Sequence, residues 1–159
     1  MERPYRLKPV PTDPTAALQS QVLIDRYQLQ PHPEGGWYRE LHRSKTVVTR
    51  SDGMQRSGFT AILFLLEAGN ASAWHRVHGA DESWHFIAGA PVELLLRDED
   101  RGQTQLQLLG FSVERAELQP LLVVPAGWWQ AARSLGAWSL VSCCVGPGFD
   151  FADFEIHCS

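Results

Sequence analysis

From Trp37 onward the chain breaks into short apolar stretches separated by turn chemistry, and this restricts it to a β-rich architecture. Trp37–Arg43 alternates in part, Phe59–Leu66 is a continuous apolar run, and Ser83–Ile87 and Val92–Leu96 follow at short spacing. Gln105–Leu109, Leu121–Val124, Trp128–Ala132 and Trp138–Val145 complete the set. Between them stand Ser51-Asp52-Gly53, Ala68-Gly69-Asn70, Asp98–Gly102 and Pro125-Ala126-Gly127, residues whose backbone preferences reverse a chain. Many short strands with this punctuation predict a sandwich or barrel.

One helix is expected ahead of the strands. Asp13-Pro14 supplies an N-cap acceptor with proline at the first helical position. Leu18, Val22, Leu23, Tyr27 and Leu29 form an apolar stripe near helical spacing, so a helix is predicted over 14–28. Pro31 and Pro33 end it, because proline disfavours helical geometry in the residue before it. Residues 1–12 carry three prolines and read as an extended arm, leaving 13–159 as a single domain.

Composition narrows the partners. A chain of 159 residues with 44% hydrophobic and 20% charged residues suits one globular core. Lys and Arg number 14 against 18 Asp and Glu, a formal charge of −4, with no basic run to track phosphates, so nucleic acid is not an expected partner. No apolar run approaches the roughly 20 residues that span a bilayer, and the start lacks the apolar segment of a secretory signal. Cys143, Cys144 and Cys158 make an odd count, pointing to free thiols in a reducing compartment. The expected location is cytoplasmic, with no membrane partner.

The densest motif runs from Gly69 to Gly89 and includes His75, Val77, Asp81, Glu82, Trp84 and His85; Pro125, Gly127 and Gln130 follow. Gly69, His75, Glu82 and Gly89 fall on the pattern G-x5-H-x-H-x4-E-x6-G, and Pro125 and Gly127 supply a following P-x-G. Val77 stands in place of the second histidine and Gln130 in place of a third. With Leu29–Glu40, Val124–Ala132 and Pro147–Phe154, these words resemble the cupin superfamily, and within it the small single-domain cupin-5 group, a domain of unknown function. The resemblance implies a mainly β fold, a jelly-roll double-stranded β-helix with one N-terminal α-helix, and a homodimer. Relatives of this shape include epimerases, isomerases, dioxygenases and storage proteins, so the resemblance specifies the reaction poorly.

The same pattern places His75, Val77, Glu82 and Gln130 around one point in the lumen. A firmly held transition metal needs at least three good ligands, whereas His75 and Glu82 are two, Gln130 is a weak third and Val77 is none. A metal-free pocket is therefore the favoured reading, with His75 as general base oriented by Glu82 and Tyr38 as a candidate proton donor. Trp84, Trp128, Gln130, Arg39 and His85 are candidate ligand-binding residues, the tryptophans as apolar wall and Arg39 as a grip on an anionic group. The expected partner is a small polar or sugar-type molecule, turned over in an isomerase- or epimerase-like reaction. The alternatives are a metal-assisted enzyme using His75, Glu82 and Gln130 around a weakly held divalent ion, and a binding or sensing protein without turnover. His32-Pro33-Glu34-Gly35-Gly36 reads as a tight turn, and Phe149, Phe151 and Phe154 as a strand or clasp closing the barrel.

Overall fold

The structure, a computed structural model, describes residues 14–157. The proline arm, the Asp13 cap and Cys158 lie outside the described residues. In chain order α1 (Pro14–Tyr27) precedes β1 (Gln30–Pro31), β2 (Trp37–Arg43), the hairpin β3 (Val47–Thr49) and β4 (Gln55–Ser57), and β5 (Thr60–Glu67). Then come β6 (His75–Val77), β7 (Asp81–Gly89), β8 (Val92–Arg97), β9 (Thr104–Leu109), β10 (Leu118–Gln119) and β11 (Leu121–Val124). β12 (Trp129–Ser134), β13 (Trp138–Gly146) and β14 (Phe154–Ile156) finish the fold.

Two six-stranded sheets face each other, ordered β1-β2-β5-β13-β7-β11 and β10-β9-β8-β12-β6-β14, and every pairing but β9 with β10 is antiparallel. Inward side chains of both sheets meet in one core: Phe64, Trp84 and Val141 from the first, Leu94, Leu96 and Ala132 from the second. This is the jelly-roll expected from the strand pattern. Each long strand predicted from sequence is present, with ends shifted by no more than two residues.

The helix packs on the outer face of the first sheet through the C-terminal part of the predicted stripe, Leu23, Tyr27 and Leu29, joined by Ile24, while its N-terminal part faces outward. Ile24 and Leu29 are buried against Leu63, Leu65 and Leu140, with Leu23 and Tyr27 beside them. Leu18 and Val22 are 67% and 48% exposed. The docking line runs through Ser20 and Ile24, and Ser20 is buried because its hydroxyl donates to Glu67 Oε1 at 2.5 Å. A polar residue satisfied by a partner 47 positions away is invisible to hydrophobic periodicity.

The two motif glycines differ in what they tolerate. Gly89 has φ +89°, and a Cβ there would lie 2.5 Å from the Trp138 carbonyl oxygen and 2.6 Å from its ring. Gly69 has φ +77° with nothing within 4 Å. Gly89→Ala is therefore expected to cost about 2–4 kcal/mol from left-handed strain plus overpacking, against about 1 kcal/mol for Gly69→Ala. Urea denaturation of both variants checks the ordering.

Candidate functional site

A cavity of about 120 Å³ opens between the sheets, with buried polar groups at its floor and phenyl rings at its rim. The floor is built by backbone contacts that bring distant segments together. Glu34 C=O accepts from the Ala73 N–H at 2.6 Å, and Ala73 C=O in turn accepts from His75 Nδ1 at 2.8 Å. The turn holding Glu34 is pressed onto β5, since a Cβ on Gly36 (φ +74°) would meet the Leu65 carbonyl oxygen at 2.8 Å. Only glycine fits there.

As a result Glu34 Oε2 lies 3.0 Å from His75 Nε2 and 3.5 Å from His32 Nδ1. The expected partner of His75 was Glu82, and this is corrected: the carboxyl on its ring is Glu34. Because a carbonyl only accepts, His75 Nδ1 carries a proton. Burial holds His75 down to about 4 and, with the neighbouring Glu82, pushes Glu34 well above the usual carboxylate range. The pair is thus neutral near pH 7, with the Glu34 hydroxyl donating to Nε2. His32 is likewise held to about 4 by burial, and its Nδ1 accepts the Glu34 backbone N–H at 3.2 Å, so its proton sits on Nε2.

Glu82 is organised by a separate relay. The Trp84 indole N–H donates to Gln130 Oε1 at 2.9 Å, and Gln130 Nε2 donates to Glu82 Oε2 at 2.5 Å. An indole can only donate, so the orientation of the Gln130 amide follows from chemistry alone. Gln130 is Cα-paired with His75 across β12 and β6, placing it beside the floor as the motif spacing predicted. Burial raises Glu82 to about 7, offset by the hydrogen bonds from Gln130 and Cys143. Two adjacent carboxyl groups therefore differ in ionisation at neutral pH, Glu34 protonated and Glu82 close to half ionised.

Tyr38 lines the cavity from β2, and among the described residues its hydroxyl has no hydrogen-bond partner. A bulge between Glu40 and His42 shifts the alternation, so Arg43 rather than His42 follows Glu40 on the cavity side. Arg43 is committed there: Nε and Nη2 donate to Glu40 at 2.9 and 2.8 Å, and Nη1 donates to the Phe149 carbonyl at 2.9 Å. Phe149, Phe151 and Phe154 form a mutually edge-packed rim, with centroids 4.9 to 5.9 Å apart. β14 carries Phe154 into pairing with Val77 on β6, so the clasp read from sequence is a strand closing the second sheet.

The other residues singled out from sequence lie off the cavity lining. Trp84 and Gln130 are buried in the relay, and Trp128 packs against the core. Arg39 points away and donates to Tyr27 C=O at the last residue of α1, a cation at a helix C-terminus. His85 faces outward against Ser83 Oγ at 2.9 Å. The residues missed were Glu34, His32 and Arg43. Only the cluster of charged and histidine residues beside a Gly-Gly pair hinted at the first two.

A metal is the group this fold implies, and the donors present do not fit one. His75 has both ring nitrogens engaged, the Gln130 carbonyl is taken by Trp84, and Val77 offers nothing. Among the described residues no cluster of three histidine, cysteine or acidic side chains is arranged to hold an ion.

Two facing antiparallel sheets around a lumen, with a His–Glu–Gln floor, define a double-stranded β-helix of the cupin class. The chain belongs to the family described as Cupin superfamily (DUF985), which matches residues 21–157. It is similar to a hypothetical protein from Leishmania major, 38% identical over 87% of this chain and 86% of that one, with a TM-score of 0.78. It is also similar to a protein from Shewanella oneidensis, 34% identical over 87% and 84%, with a TM-score of 0.78. Oxalate decarboxylase from Bacillus subtilis, 16% identical over 79% of this chain and 29% of that one, shares the fold at a TM-score of 0.57. No curated protein matches the chain. Among the described residues no helix is long and apolar enough to cross a membrane.

Proposed function

We propose that the lumen binds a small polar molecule and moves a proton on it, in an isomerase- or epimerase-like reaction that uses no metal. The observation that carries this reading is the pair of buried carboxyl groups, Glu34 and Glu82, held apart in ionisation at the floor of one cavity. Such a division is how a single site supplies both acid and base at neutral pH.

In this reading Glu82 is the base. Gln130 donates to Oε2 and the Cys143 thiol also hydrogen-bonds the carboxyl group, which together hold Glu82 in place to take the proton from a carbon next to a carbonyl. The carbonyl oxygen gains negative charge, and the Tyr38 hydroxyl and the neutral His32 Nε2–H are the donors to receive it. Glu82 returns that proton to the neighbouring carbon, which isomerises the compound, or Glu34 gives its own proton to the opposite face, which epimerises it, and the two carboxyl groups then re-equilibrate their protons with water. His75, the base expected from sequence, instead keeps Glu34 protonated and in place. Gln130 and Trp84 act as positioning residues.

Proton exchange tests this directly. Dihydroxyacetone and glyceraldehyde incubated with the protein in deuterated water should gain deuterium next to the carbonyl, followed by proton NMR. Glu82→Gln is expected to slow exchange by a factor of at least about 100, the usual contribution of a positioned base. Wild-type exchange no faster than buffer, with both compounds seen to bind, would leave a binding protein and withdraw the catalytic reading.

A homodimer is part of the proposal. Leu121 and Val123 on edge strand β11 and Ile87 on β7 are each close to half exposed on the outer face of the first sheet. An open apolar edge is a liability that pairing with a second copy relieves. Sedimentation showing a monomer at micromolar concentration would argue against it.

A further inference from the structure

The lumen is polarised along its depth in a way that selects the charge of what enters. At the floor Glu34, His75 and Glu82 are 8%, 2% and 8% exposed, whereas Phe151 at the rim is 53% exposed. The side that a ligand meets last is therefore hydrogen-bonding, and the side it meets first combines the phenyl rings with the mutually paired Arg43 and Glu40. A volume of about 120 Å³ compares with the roughly 150 Å³ engineered cavity that holds benzene, so the site suits a molecule of that size.

Among the described residues, none at this floor offers a free positive charge. His32 and His75 are the lining groups that could become cationic, and both are kept neutral by burial. The guanidinium of Arg43 already makes three hydrogen bonds, two to the carboxylate of Glu40 and one to the Phe149 carbonyl. An anion entering would face Glu82 with no counter-charge, and would lose its hydration in doing so. A cation would have to give up its own hydration to a floor on which Glu34 is un-ionised and one oxygen of Glu82 is bound to Gln130.

Resting on the reading of the lumen as the ligand site, we infer that its substrates are uncharged amphipathic hydroxy or carbonyl compounds. They enter polar end first, with an apolar substituent against Phe149, Phe151 and Phe154, and their carboxylate and phosphate counterparts are rejected. Tyr38 and His32 donate to the polar end, Glu82 accepts from it, and the phenyl rim covers the rest. Sugar phosphates and organic acids fall outside this class.

Three probes of nearly equal shape separate the possibilities: benzyl alcohol, benzoate and benzylammonium, each titrated into the whole protein near neutral pH by calorimetry and methyl NMR. Shifts at Ile62, Val77 and Val145, which line the cavity, locate the binding. Benzyl alcohol is expected to bind at least about tenfold more tightly than either ion, because an unpaired charge costs more to desolvate than a hydroxyl. In Arg43→Gln with Glu40→Gln that ranking should persist, since the ion pair cancels itself. Tighter binding of benzoate or of benzylammonium overturns the inference. So does failure of all three probes; dihydroxyacetone then decides the wider reading, which survives if it shifts the same methyl groups and falls with the inference if it does not.

Discussion

Replacing Val77 and Gln130 with histidine together is expected to load the protein with about one equivalent of zinc, while wild type purified without added metal or an affinity tag carries well under one. Val77 is buried on β6 beside His75, and Gln130 is Cα-paired with His75 on β12, so both new imidazoles would project towards the floor that Glu82 already faces. The variant then offers three imidazoles and a carboxylate, a full tetrahedral set, where the native chain offers two strong ligands with competing partners. Metal must displace the Glu34 proton from His75 Nε2, so loading should release protons and weaken as pH falls. Elemental analysis beside Glu82→Gln checks both halves. Stoichiometric metal in wild type that disappears in Glu82→Gln would sink the metal-free reading and the proton-transfer roles built on it.

Stability should stay nearly level between about pH 4.5 and 6.5 and decline above that range, because the four floor groups oppose one another in pairs. His32 and His75 are held to about 4 in the folded chain against 6.5 unfolded, so between those values the unfolded state binds more protons and stability rises with pH. Glu34 and Glu82 are raised from 4.5, Glu82 to about 7, so above 4.5 the folded state holds protons that the unfolded chain has lost and stability falls. Above 6.5 the histidine contribution is complete and the carboxyl loss continues, at about 1.4 kcal/mol per pH unit for each group still protonated. The Cys143 thiol is also pushed up by burial and adds a loss only above its ordinary value of 9.0. Asp153, held low chiefly by its hydrogen bonds from Arg56, belongs to the acid limb. Urea midpoints measured across this range should show the decline in wild type and a shallower one in Glu34→Gln. Stability that climbs from pH 6.5 to 8 would mean that the carboxyl groups ionise freely and that the division of labour at the floor is absent.

The strand pattern was enough to place β2, β5, β7 and β13, because alternation assigns faces and turn residues assign ends locally. That His75, Glu82 and Gln130 come together was implied by the resemblance to the cupin pattern, since Glu82 and Gln130 are 48 positions apart. Val77 and Gln130 were likewise readable as departures from a metal site, since ligand chemistry belongs to the residue type. What His75 touches was not readable. Glu34 lies 41 positions earlier in a turn, and it reaches the imidazole only because Gly36 lets that turn close on β5 and Ala73 bonds its carbonyl. The bulge after Glu40 decided that Arg43 faces the cavity, and the docking of Ser20 on Glu67 decided which side of α1 is buried. The chain alone therefore determined a cupin barrel with an incomplete metal set. Only the tertiary structure decided that a second buried carboxyl takes the empty place, since the desolvation and proximity that set its proton exist only once both sheets have closed.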